Sequence, residues 1–269
     1  MSKIILLRGG GDLASGVALR LFRSGIIPLI TEMPKPLMVR RLVSFADAVY
    51  RGDTKVEGVG ARLVNTLGEA QESKSAGIIP VLVNPHLSLL SKNQVLVLID
   101  ARMTKQNPSS GLDAADLVIG LGPGFVVGEH CHAVVETKRG HQMGRVYWEG
   151  SAQADTGIPG SIAKYSRDRV LRAPADGNVR GIAKIGDQLK KGDLIAEVNG
   201  KEVLAPFEGV LRGLIHPSAD VANGMKIADL DPRNDPSFVH QVSDKAMAMG
   251  GAVLEALLSQ SVIRERLWA

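Results

Sequence analysis

Three glycine turns and a histidine-bearing strand carry the residue types that could do chemistry here. The first turn, RGGGDLASG at 8–16, follows a short apolar run. Glycine at a strand-to-helix turn lets an anion reach backbone N–H groups and the positive end of a helix. Gly9, Gly11 and Ala14 fit the loose dinucleotide fingerprint, with Gly10 between them. Glu32 lies 21 residues past Gly11, where an acid could hold a ribose. Asp12 inside the loop would repel a pyrophosphate. The spacing fits a nucleotide or pterin phosphate, and equally a turn that binds nothing. The second turn, DLVIGLGPGF at 116–125, offers the bare backbone of Gly120, Gly122 and Gly124 to a ligand, or is a tight chain reversal. The third stretch, HCHAVVETKRGH at 130–141, holds three of the six histidines and the sole cysteine. A strand would put His130, His132 and Glu136 on one face and Cys131 on the other. At about 3.3 Å per residue those three ligands spread over some 20 Å, too far for a compact zinc site. We expect no metal. His132, Arg139 and His141 remain as contacts to an anion, and Cys131 reads as a structural residue. A last run, GSAQADTGIPGSI at 150–162, places Asp155, Thr156, Gly157 and Gly160 in a polar loop or a linker.

The elements that must position these residues follow from apolar periodicity. IILL (4–7), a helical LASGVALRLFRSG and IPLIT (27–31) form a β-α-β opening. IIPVLV (78–83), VLVLID (95–100) and DLVIGLG (116–122) suit buried strands of a parallel sheet. HAVVET, the turn KRGHQMG and RVYW read as a hairpin. Farther on, RAPADGNVRGIAKIGDQLKKGDLIAEV (172–198) recurs 32 residues later as LAPFEGVLRGLIHPSADVANGMKIADL (204–230). The pattern resembles the two halves of a biotinyl/lipoyl, or barrel-sandwich hybrid, domain. Asn199-Gly200 reads as a type I′ turn. It leaves Lys201 too close to the second Ala-Pro to serve as a swinging arm, so neither biotin nor lipoate is expected. The tail PSFVHQVSDKAMAMGGAVLEALLS (236–259) reads as a helix that packs back on the sheet region.

The expected fold class is therefore α/β. A Rossmann-like, mostly parallel domain over 1–165, β-rich at 126–165, precedes a barrel-sandwich hybrid domain over 166–233 and a C-terminal helix over 234–269. Composition fits a globular chain of 269 residues, 45% hydrophobic and 22% charged, with 30 glycines and 4% aromatics. Net charge is +4, but lysines and arginines are scattered, so no nucleic-acid face is expected. A single cysteine and the lack of a long apolar stretch point to a cytoplasmic, non-membrane protein.

Several pieces together, VIGLGPGF (118–125), HAVVETKRGHQMGRV (132–146), DTGIPG (155–160), RVLRAPADG (169–177) and KIADLDPR (226–233) behind RGGGDLASGVALRL, carry a resemblance across nearly the whole chain. It is to the YqeB-type selenium-dependent molybdenum hydroxylase accessory proteins, which are distant relatives of the XdhC maturation factors. The resemblance implies a non-catalytic role in maturing a molybdenum hydroxylase, with molybdopterin as ligand and the apo-hydroxylase or another maturation factor as partner. It names no catalytic residue. Two positions depart from the pattern: Asp155 stands where asparagine is expected, and Cys131 where an aliphatic residue is usual.

The pocket expected from these readings is Gly9, Gly10, Gly11, Asp12, Gly122, Gly124, His132, Arg139 and His141, with Glu32 as ribose partner. It would hold an anionic molybdopterin or a nucleotide. An NAD(P)-dependent oxidoreductase and a docking adaptor are the alternatives, and a homo-oligomer is left open.

Overall fold

The computed structural model describes residues 4–104, 108–155 and 168–267. Ile4–Arg8 (β1) is almost wholly buried, and the glycines after it release the chain into Asp12–Arg23 (α1). Leu29–Glu32 (β2) returns parallel to β1. Pro34 and Pro36 then break the chain's helical potential. The segment passes through 3-10 turns and the short helix Ala48–Arg51 (α2) into a hairpin of Asp53–Val56 (β3) and Val59–Val64 (β4). Leu67–Ser75 (α3) crosses to Ile79–Val83 (β5). Val95–Asp100 (β6), Leu117–Leu121 (β7), Ala133–Val135 (β8) and Val146–Tyr147 (β9) follow, with only 3-10 turns and loops among the described residues between them. The nine strands form one sheet in the order β3-β4-β5-β2-β1-β6-β7-β8-β9. Its interior is parallel, while β3 and β9 close the two edges antiparallel.

Each face of this sheet has its own core. Leu7, Ile30, Val81, Val97, Ile99 and Ile119 bury one face under α1 and a later helix, Asp244–Ser259 (α4). Leu6, Leu29, Leu98, Val118 and Val134 bury the other with Phe125, Cys131 and Ala70 of α3. The two helices α1 and α4 touch backbone to backbone. A Cβ on Gly16 would lie 2.3 Å from the Ala246 carbonyl oxygen, and one on Gly250 would lie 2.5 Å from that of Gly16. Ser261–Leu267 (α5) follows α4.

The repeat builds eight further strands: Val170–Arg172 (β10), Gly177–Gly181 (β11), Gln188–Leu189 (β12), Leu194–Val198 (β13), Lys201–Leu204 (β14), Gly209–Leu214 (β15), Asp220–Val221 (β16) and Lys226–Asp231 (β17). They form two four-stranded sheets, β10-β17-β15-β12 and β14-β13-β11-β16. Each sheet takes two strands from each repeat, and a shared core of Ile195, Ala196, Leu211, Ile227 and Ala228 lies between them. At the β13–β14 turn Asn199 and Gly200 both have positive φ, 50° and 74°, as a type I′ turn requires. These sheets sit against residues 35–50. The Arg41 Nε donates to the Leu214 carbonyl, and a Cβ on Gly213 would come within 2.8 Å of the Val39 carbonyl oxygen. Tyr50 stacks on His216 with ring centroids 3.8 Å apart.

This corrects the expected fold class, a Rossmann-like domain followed by a barrel-sandwich hybrid domain and a helix. Among the described residues, only the β1–β2 and β4–β5 crossings carry a helix of more than one turn. The described parts of the crossings beyond β5 are 3-10 turns and loops, and both sheet edges are antiparallel. The chain is a mostly-sheet α/β protein, not a doubly wound domain with a biotinyl-type module attached. The physical reason lies in the connections. Proline and polar residues punctuate 84–94 and the described part of 101–116, and among the described residues no helix longer than a turn joins the buried strands there. The reading of 236–259 as one helix is also adjusted: 236–239 is a 3-10 turn, and α4 begins only after the cap Ser243, which accepts from the Ala246 amide.

Candidate functional site

The β1–α1 turn is built around an internal carboxylate. Gly9 takes φ +90° and donates its N–H to the Thr31 carbonyl. The Gly10 amide donates to the Glu32 Oε2 at 2.8 Å, and the Met33 amide donates to Oε1 at 2.8 Å. Burial raises the Glu32 carboxyl above its ordinary value, partly offset by those two amides. Glu32, the residue expected as a ribose partner, also pins the turn to the end of β2 through both of its oxygens. Gly10 has no room for a side chain, since a Cβ would lie 2.9 Å from the Ala46 amide nitrogen.

Gly11 is different. It caps α1 in extended conformation with no side-chain cap, and nothing lies within 4 Å of where its Cβ would stand. Asp12 follows as the first helical residue; its Oδ1 accepts from the Leu13 amide. Gly11 and Asp12 open onto a cavity of about 360 Å³ lined also by Leu37–Arg40 and by Met225 and Lys226 of the repeat region. Arg40 is the buried cation of this cavity, its side chain only 5% exposed. Its Nη2 donates to the carbonyls of Phe238 and Gln241, and its Nη1 lies 3.6 Å from the Asp12 carboxylate. Its Nε has no hydrogen-bond partner. Desolvation, and then the neighbouring Arg212, lower its pKa. Lys226 lies 3.7 Å from Asp229, which Arg169 and Arg212 also hold at 2.8 and 2.7 Å. Arg212 reaches on to Asp231, which pairs with Arg233 as well. This arrangement, a helix N-terminus flanked by one buried and one half-exposed cation, is suited to holding an anion.

The other expected residues lie elsewhere. Gly122, with φ +78°, donates to the Val135 carbonyl, and a Cβ there would lie 2.6 Å from the Thr137 hydroxyl oxygen; Gly124 is exposed at φ +99°. Between this turn and the first one, Arg8 and Asp100 form a buried pair that Arg102 and Ser110 complete through Asp100. His132 accepts from the Val118 amide through Nδ1, at the start of β8. In sheet order β8 is three strands from β1, roughly 14 Å at ordinary strand spacing. Burial lowers the His132 pKa. Arg139 is held by both oxygens of Asp244 at 2.6 and 2.7 Å, which ties its turn to the start of α4. His141 is exposed in the same turn. The structure therefore brings Gly9, Gly10, Gly11, Asp12 and Glu32 together and does not place His132, Arg139 and His141 with them. Thr156, Gly157 and Gly160 lie outside the described residues. Among those residues, no group of three or more His, Cys, Asp or Glu side chains is placed to hold a metal ion.

Sequence reading missed Arg40 and Lys226 as site residues. Their one local trace is cations beside apolar stretches, PLMVRRL and MKIADL, with nothing to say that both meet the α1 turn.

Fold and cavity together define a mostly-sheet α/β protein whose first helix opens on a cation-flanked cavity. The chain is 46% identical over 256 residues to uncharacterized protein YqeB of Escherichia coli (strain K12). That alignment spans 95% of this chain and 47% of YqeB, so the chain covers about half the length of this relative. The similarity supports the YqeB resemblance carried by the motifs. No protein-family model matches the chain. Solved structures with detectable likeness include a succinylglutamate desuccinylase/aspartoacylase from Rhodobacter sphaeroides, 13% identical over 87% of each chain with a TM-score of 0.27. An aspartoacylase family protein from Mesorhizobium loti is 11% identical over 86% of this chain and 85% of its own, with a TM-score of 0.26. Likeness at this level carries no functional weight. No single helix among the described residues is long and apolar enough to cross a membrane.

Proposed function

We propose that this chain is an accessory protein in the maturation of a molybdenum hydroxylase and holds an anionic molybdopterin or nucleotide group at the carboxyl edge of its large sheet. The observation that carries the reading is the cavity at the start of α1. There the N-terminus of α1 opens on a space that Arg40 and Lys226 also line. Those groups fit an anionic cofactor: the helix end, Arg40 and Lys226 would hold its negative charge. When bound, the cofactor supplies the molybdenum chemistry, with sulfur or labile selenium as the chalcogen handled. The chain's own part is to bind, orient and shield it before transfer to the apo-hydroxylase in the cytoplasm. Similarity to YqeB over 95% of the chain agrees with the motif resemblance on which the maturation role rests. The rival reading is a nucleotide-dependent oxidoreductase, in which Glu32, already bonded to the Gly10 and Met33 amides, would also accept from a ribose hydroxyl.

The test is anaerobic incubation with molybdenum cofactor, then gel filtration with pterin and metal analysis. Pterin eluting with the protein supports the reading; its absence from the protein peak sinks it. A rise in NADH fluorescence on titration would instead favour the oxidoreductase.

A further inference from the structure

We infer that the outer edge of β3 takes an acidic, extended segment of a partner protein, added as a further strand to the large sheet. β3 ends that sheet and pairs with β4 alone. Its register decides which backbone groups are free. Leu63 donates to the Gly52 carbonyl at 2.7 Å, and beyond that pair Asp53 faces Arg62, Thr54 faces Ala61 and Lys55 faces Gly60. Bonded and non-bonded pairs alternate along an antiparallel ladder. Gly52 and Leu63 are a bonded pair, so Thr54 turns its N–H and C=O toward β4 while Asp53 and Lys55 turn theirs outward. Neither of these two makes another backbone bond among the described residues. The hairpin tip is fixed as well. Glu57 pairs with Arg23 at 2.9 Å and accepts from the Val242 amide at 2.8 Å. An unpaired edge is a template for another strand, and an edge already held in shape spares the cost of ordering it on binding.

The side chains around this edge select the partner. A groove of about 470 Å³ lies beside β3, lined by Asp53, Lys55 and Arg62 of the hairpin and by Leu42, Arg51 and His240 from outside it. Arg51, Lys55 and Arg62 thus meet a single carboxylate, Asp53. Asp53 and Arg62 stand opposite each other but form no ion pair, and Lys55 has none among the described residues. Arg51 reaches only Asp47, at 3.7 Å, with 61% of its side chain exposed. A cleft lined by one sign of charge draws in the other sign. Lysine on an edge strand deters stray strands; here it admits one whose alternate side chains are acidic, since a carboxylate opposite Lys55 makes a favourable cross-strand pair. A second copy of the chain would bring its own Arg51 and Arg62 to the same edge and be repelled. A small anion would meet the outward carbonyls of Asp53 and Lys55, which only a donor can satisfy. A strand's backbone supplies both donors and acceptors.

The test is fluorescence anisotropy of the full chain with a labelled decapeptide of alternating Glu and Val, and with its alternating Lys and Val counterpart, at low and moderate salt. We expect one saturable site for the acidic peptide, weaker as salt rises, and none for the basic one. In the complex the Asp53 and Lys55 amides should exchange with deuterium more slowly, while that of Thr54, already turned to β4, should not change. Arg62→Glu should weaken binding about tenfold or more, because an attraction becomes a repulsion. Lys55→Pro separates backbone from charge. Proline is tolerated on an edge strand where its missing N–H faced outward, so thermal stability should hold while binding is lost. Lys55→Gln removes the charge, keeps the N–H and should bind only several-fold more weakly. Lack of saturable binding of the acidic peptide overturns the assignment, as does a folded Lys55→Pro chain that binds as well as Lys55→Gln. If Lys55→Pro fails to fold, unchanged exchange at Asp53 and Lys55 in the wild-type complex overturns it instead. Displacement of the peptide by an equal concentration of inorganic pyrophosphate would make the groove a small-anion site. A dimer in sedimentation that Lys55→Pro abolishes would give the edge to a second copy; either result sinks the acidic partner. The pterin experiment does not bear on this edge, so either reading can fail alone.

Discussion

Asp229 shows how single residues in this protein are set by what surrounds them. It is 1% exposed, and burial alone would push its carboxyl up. Lys226, Arg212 and Arg169 outweigh that and hold it at about 2, against an ordinary 3.8. A carboxyl depressed on folding stabilises the native state above its unfolded pKa and loses that contribution as pH falls. Denaturant unfolding should therefore be insensitive to this group above pH 4 and lose about 2 kcal/mol between pH 4 and pH 2. Asp229→Asn should remove that acid limb. It should also cost about 3 kcal/mol or more at neutral pH, because three cations lose their partner. Cys131 is the opposite case. It is fully buried, and desolvation pushes its thiol up to about 11. A reactive thiol needs exposure and a lowered pKa. An aromatic disulfide reagent at pH 8 should label Cys131 only after denaturation; fast labelling of the native chain would reopen a chalcogen-carrying role. At this scale the sequence announced Gly9 to Asp12 through glycine spacing. It did not announce that Glu32 would turn inward, since that depends on the register between β1 and β2.

At the scale of elements, the crossing of α1 and α4 rests on two glycines, and their neighbour supplies the control. Gly16→Ala or Gly250→Ala puts a methyl onto backbone at 2.3 or 2.5 Å. The helices must part, at a cost of about 1–3 kcal/mol or more. Gly251→Ala, one residue along, faces open space. It should stabilise by up to about 1 kcal/mol through helix propensity. Urea denaturation of the three variants checks this, and equal losses in all three would mean that the helices do not cross at Gly250. The buried strands were legible because runs such as VLVLID are apolar throughout and bounded by polar turns. The hairpin β3–β4 was not, because DTKV and VGARLV mix charge and small residues at a sheet edge. The crossovers misled because a glycine fingerprint raises the expectation of helices that the later loops do not supply.

At the scale of the molecule, the two parts of the chain meet through a close fit. Gly213 lies under the Val39 carbonyl, Arg41 bonds the Leu214 carbonyl, and Tyr50 covers His216. Calorimetry should show one cooperative transition for the wild type. Gly213→Leu, which cannot be seated there, should split it or lower its midpoint by several degrees; a variant scan that overlays the wild type would mean that the contact is not part of the fold. The same scale hid the cavity from the sequence. Gly11, Arg40 and Lys226 are neighbours only because residues 35–50 carry the repeat sheets to the mouth of α1. The pairing of α1 with α4 has a further consequence, for the timing of synthesis. The ribosome releases α1 about 220 residues before α4 begins. Throughout that interval Val17, Leu21 and the sheet face beneath them lack their final cover. A nascent chain in that condition should fold slowly and gain from chaperones, because a decisive contact is so distant in sequence.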